Sequence, residues 1–147
     1  MKNIQERLGF GRFVIGLAIL VIVVAVARYN SASKAGAAED LGRLAGNWSG
    51  DSVCMDRQSA CHDEKVVYRI SIYQGDSTRV KIQADKIVDG KPVTMGAGDY
   101  KFDRELGVLS HEDEHGAWKI VVNGNRLDGT MTVNGAQFRK LTLKKDE

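Results

Sequence analysis

Residues 44–73 read LAGNWSGDSVCMDRQSACHDEKVVYRISIY, and this stretch decides the fold. Trp48 is the large apolar side chain of a segment of strand length that ends at Cys54. The polar run 55–64 breaks the pattern and reads as a loop held between Cys54 and Cys61. From 65 to 73 the side chains alternate. Val66, Tyr68, Ile70 and Ile72 share one face, and Val67, Arg69, Ser71 and Tyr73 share the other. A period of two with one apolar face belongs to a half-buried β-strand. The stretch is therefore strand, clipped loop, strand. A disulfide between Cys54 and Cys61 is the preferred reading of the clip, since paired cysteines persist as disulfides in oxidising compartments. Closing so short a ring stabilises a fold by about 2–3 kcal/mol on the chain-entropy estimate. A metal reading would use Cys54, Cys61, His62, Asp63 and Glu64, but zinc sites usually pair cysteines about two to four residues apart. Two free thiols are the third reading.

The same period continues downstream. Val80, Ile82 and Ala84 point inward, and Arg79, Lys81, Gln83 and Asp85 outward. Ile87 falls out of phase, which predicts a bulge or strand end near Lys86. Asp89-Gly90, Asn123-Gly124 and Asn134-Gly135 are two-residue hairpin signals, because a type I′ turn needs positive φ at both central positions. Pro92, the only proline, must begin a strand or lie on an unpaired edge, having no N–H to give a ladder. Glycines 96 and 98 predict a bend between two short strands, the second carrying Tyr100 and Phe102. A short strand follows over 106–111. Trp118, Ile120 and Val122 share a face, as do Leu127, Gly129, Met131 and Val133. Residues 137–144 close the series with Phe138, Leu141 and Leu143. These are about eight strands with short turns and no crossover long enough for parallel pairing. We expect a mainly β fold, an eight-stranded antiparallel up-and-down barrel, with a two-sheet sandwich as the alternative.

Charge and hydropathy are uneven. Residues 1–38 carry five Lys and Arg against one Glu, and residues 39–147 carry 16 against 18 Asp and Glu. The folded part thus lacks the basic face that nucleic-acid binding requires, and no nucleic-acid partner is expected. Residues 13–27, FVIGLAILVIVVAVA, are an uninterrupted apolar run after Lys2, Arg7 and Arg12. That is the layout of a secretory signal, with Ala25-Val26-Ala27 as a cleavage site, or, counted from Leu8, of a transmembrane anchor. Both readings stay open, and both place the remainder outside the cytoplasm, in the periplasm or cell envelope. We expect a signal peptide or transmembrane helix over 1–29, a flexible linker over 30–43 and the barrel over 44–147.

Gly46-Asn47-Trp48 followed by a meander resembles the lipocalin-like (calycin) barrels, over residues 44–145. The resemblance implies that Gly46 opens the first strand and that Trp48 plugs the closed end of the barrel. It also implies that an arginine near the last strand packs across the tryptophan, for which Arg139 is the match. Such a contact is worth about 1 kcal/mol. The domain departs from that pattern in being short, in lacking a Thr-Asp-Tyr triplet, and in having no helical stretch after the last strand. The run 61–68, CHDEKVVY, is also similar to exported bacterial proteins of no assigned activity.

His111-Glu112-Asp113-Glu114-His115 matches the His-Glu-x-x-His pattern of zinc peptidases, which needs a helix to bring both histidines to one face. Gly116 and the flanking alternation make it a charged hairpin loop instead. A catalytic zinc needs a third protein ligand; no histidine follows His115, and the only later glutamate is Glu147 at the terminus. No nucleophile elbow or phosphate-binding loop is present. We expect no enzymatic activity, no cofactor and no metal. A barrel interior lined by Tyr68, Ile70, Ile82, Phe102, Trp118, Ile120 and Met131 would take a small apolar or amphipathic ligand. The alternative is a filled barrel with a structural or interaction role, and a metal-dependent hydrolase using the 111–115 loop is the third reading. The membrane would be a partner only through the N-terminal segment.

Overall fold

The structure is a computed structural model and describes residues 41–147. The leader expected over 1–29 and most of the linker lie outside the described residues. No helix among the described residues is long and apolar enough to cross a membrane.

The strands are β1 (Gly46–Cys54), β2 (Glu64–Ile72), β3 (Arg79–Val88), β4 (Lys91–Asp103), β5 (Val108–Asp113), β6 (Gly116–Asn123), β7 (Arg126–Val133) and β8 (Ala136–Lys145). Each pairs antiparallel with the next, and β8 pairs back onto β1, so the sheet is a closed barrel rather than a sandwich. The turns follow their chemistry. Asp89-Gly90 and Asn134-Gly135 have positive φ at both residues. At the third hairpin the register Asn123↔Arg126 places Gly124 and Asn125 in the turn, one residue later than the sequence signal suggests. There Gly124 supplies positive φ and Asn125 does not, the pattern of a type II′ turn.

Inward phases meet in one core. Trp48 is fully buried with Val80, Leu109, Ile120, Leu127 and Leu143. Gly129 lies between Ile120 and Leu141 in register, where a Cβ would stand 3.1 Å from Ile120 Cγ1. A helical turn over 41–44 closes this end. Its Leu41 and Leu44 are both buried, and Trp48 Nε1 donates to the Leu44 carbonyl at 2.8 Å. The packing thus takes in Leu41, within the stretch expected as linker. Leu41 has apolar surface to bury, and the core reaches at least that far back.

Four strand-level expectations change. Residues 93–103 form part of one thirteen-residue strand, not two short ones. The irregularity expected in β3 lies on β4, because Ala84↔Gly96 is followed by Asp85↔Thr94 and Met95 is left over. Leu106 is 69% exposed in the β4–β5 turn, not in a strand, and Gly107 beside it has positive φ. Ile72 runs past the buried span of β2 and is exposed. Asp85 keeps its outward phase yet is buried, held by an ion pair with Arg69 and a 3.1 Å hydrogen bond from Gln83 Nε2. Pro92 sits opposite Ile87 in a part of β4 that no β5 residue pairs with, the edge that a residue without an N–H tolerates.

Cys54 and Cys61 form a disulfide with Cα atoms 5.8 Å apart. The loop it closes is tied to the barrel, since Asp63 Oδ1 accepts from the Cys54 N–H at 2.8 Å. Trp48→Ala should cost about 3–5 kcal/mol. Trp48→Phe, which keeps most of the bulk and loses the hydrogen bond to Leu44, should cost markedly less. Urea unfolding followed by circular dichroism measures both.

Candidate functional site

The barrel has a filled half and a hollow half. On β6, β7 and β8 the inward residues Trp118, Met131 and Arg139 stand in register, and Arg139 faces Cys54 on β1. Ser52 and Glu64 face each other across β1 and β2. Around these residues, away from Trp48, is a cavity of about 510 Å³.

Of the seven residues expected to line the interior, four border this cavity: Tyr68, Ile82, Trp118 and Met131. Three do not. Ile70 and Ile120 are buried in the packed core, and Phe102 packs against that core. Of the barrel-closing set, Gly46 begins β1 at φ +120° and Trp48 is the plug. Arg139 is not across its face. The β1–β8 register pairs Trp48 with Lys145 and Cys54 with Arg139, six residues away. The cation over the indole is therefore Lys145, whose Nζ lies 5.7 Å from the ring centroid and also donates to the Arg43 carbonyl.

Arg139 serves the hollow half. Its Nη1 donates to Ser52 Oγ at 2.9 Å and lies 3.2 Å from Glu64 Oε2. Both side chains of this ion pair are mostly buried, at 16% and 18% exposure. Glu64 Oε2 is charge-paired but accepts no well-directed hydrogen bond. Lys86 Nζ approaches the other oxygen at 3.8 Å. Composition alone does not reveal this pair, but phase does. Glu64 shares parity with Val66 and Tyr68, and Arg139 with Leu141 and Leu143. Phe138, the remaining large apolar residue of β8, has the opposite parity to these leucines. The register moves from Met131↔Arg139 to Thr132↔Gln137, so Phe138 is the unpaired residue of a bulge.

Aromatic rings form the rest of the wall. Tyr68 meets Trp118 edge-on at 6.4 Å, and Tyr100 stacks on His111 at 4.9 Å. Burial pushes both tyrosine phenols up, the Glu64 charge adding to this at Tyr68 and Arg139 opposing it, so both remain protonated. The 111–115 segment is the end of β5 and a two-residue turn, with Asp113 opposite Gly116 at the start of β6. It presents no helical face to a metal, and among the described residues no three His, Cys, Asp or Glu side chains converge. The His115 N–H at 2.8 Å, then His111, hold the Asp113 carboxyl below its usual range.

The surface of the site is thus amphipathic: an ion pair and a serine at one side, tyrosines, tryptophan and methionines at the other. Compared with protein-family models, curated proteins and solved structures, the chain matches none of them. Its definition rests on its own geometry, a closed eight-stranded antiparallel barrel hollow at one end.

Arg139→Leu should destabilise by about 3 kcal/mol, because it strands a buried carboxylate. The double variant Glu64→Leu/Arg139→Leu should be more stable than Arg139→Leu alone, read by the same urea melts. The lowered Asp113 pKa contributes stability that is full above the ordinary carboxylate range, near ~3.9, and fades as pH falls through the folded value. The stability difference between wild type and Asp113→Asn should therefore shrink as pH falls below about 4.

Proposed function

We propose that this is an exported or membrane-anchored lipocalin-like barrel domain that binds a small amphipathic molecule in its hollow half. The cavity carries the reading. A void of about 510 Å³ walled by Tyr68, Trp118 and Met131 offers apolar surface, with Arg139, Glu64 and Ser52 to orient a polar end. Pockets of this kind, mostly apolar with a few placed polar groups, are the usual form of small-molecule sites. The Cys54–Cys61 disulfide supports an oxidising, extracytoplasmic setting. The apolar run of residues 13–27 supports export or anchoring. The likeness to calycin barrels rests on Gly46-Asn47-Trp48, on the buried tryptophan and on the strand order. The ligand acts by occupancy, with no bond made or broken.

The alternative, a filled structural barrel, draws on the other half, where Ile70, Ile120 and Phe102 belong to the packing. Native mass spectrometry of the chain purified gently from its own cells separates the two. A stoichiometric adduct of lipid or metabolite size, lost in Trp118→Arg, is the expected result. A bare mass under conditions that preserve weak complexes would sink the ligand reading in favour of the filled barrel.

A further inference from the structure

β4 spans thirteen residues, yet it pairs with β5 only through Lys101, Phe102 and Asp103. Over residues 91–100 it is laddered to β3 alone, and over 111–113 β5 is laddered to β6 alone. The backbone of the wall is interrupted along this line, and a side chain fills the gap. His111 Nδ1 lies 2.8 Å from the Asp99 carbonyl oxygen, and Nε2 lies 3.2 Å from Asp113 Oδ2. The ring stacks on Tyr100 and rests on Gly98, where a Cβ would stand 3.0 Å from ring Cε1. Outside the wall at this point lies a groove of about 310 Å³, bordered by Asp99, Ser110 and Glu112. His111 and Trp118 are the two residues that line both this groove and the cavity within.

The geometry points to a side entrance between β4 and β5, with His111 as its latch: the ligand passes through the wall when the imidazole swings away from Asp99 and Gly98. This inference rests on the cavity being a ligand site. Opening the wall between any fully laddered pair would break consecutive backbone hydrogen bonds. Here it breaks the contacts of one half-buried side chain, and rotamer changes of such groups are far faster than strand separation. Gly98 is part of the device, since only a residue without Cβ lets the ring lie flat against β4. Trp118, braced edge-on by Tyr68, is the fixed side of the entrance.

Stopped-flow binding of 11-(dansylamino)undecanoic acid to the purified full chain, read by energy transfer from tryptophan, tests this. His111→Ala removes the latch. Gly98→Ala keeps the histidine and displaces it. Both should raise kon at least fivefold and koff along with it, so that Kd shifts less than either rate. A raised koff with unchanged kon in both variants would overturn the inference, for His111 would then be an ordinary wall contact. No energy transfer with the wild type would overturn the cavity reading itself, a failure distinguishable from that of the latch alone.

Discussion

The pairing of β1 with both β2 and β8 is the constraint on which the structure depends. A meander left open has two bare edges, each a row of unpaired N–H and C=O groups. Closure removes them at once and turns the inward faces of all eight strands upon one another. Local chemistry permits it. At Gly50 a Cβ would stand 2.1 Å from the Thr142 carbonyl oxygen, so a side chain there would hold β8 away. The same pairing sets Trp48 beside Lys145 at one end and Cys54 beside Arg139 at the other. The plug and the ion pair are therefore two ends of one ladder.

This arrangement divides the interior by chemistry. The plugged half is filled with aliphatic side chains around an indole whose N–H is satisfied by Leu44. The other half contains charge. A buried ion pair adds little net stability, because desolvation offsets most of the Coulomb attraction. It does exclude close apolar packing around it, and it keeps β1, β2 and β8 in one relative position. An amphipathic hollow above a packed aliphatic core follows from where the charged residues fall in the inward phase.

The fold was largely legible because its signals are local. Alternation from Val66 to Ile70, the Asp89-Gly90 and Asn134-Gly135 turns, and the Trp48 strand each specify their structure within a few residues. The errors lie where pairing decides. A bulge can sit on either of two paired strands, and only the partner's register shows that it is Met95 and not Lys86 that departs. Arg139 lies in the last strand, but the register of β1 on β8 puts Lys145 over Trp48. The interior set was half right for a similar reason. Phase shows which residues point inward, but depth along the barrel, which separates Ile70 from Tyr68, depends on strand tilt. The incomplete β4–β5 ladder leaves no mark in composition at all.

The start of β1 and the finish of β8 meet at the plug, where Lys145 reaches both the Trp48 ring and the Arg43 carbonyl. The first and last strands of the barrel therefore begin and finish side by side at its sealed base. A short bridge from Leu41 to the end of β8 would make the described domain an endless loop, which could be cut afresh at a hairpin such as Asp89-Gly90 with the staves of the barrel left in order.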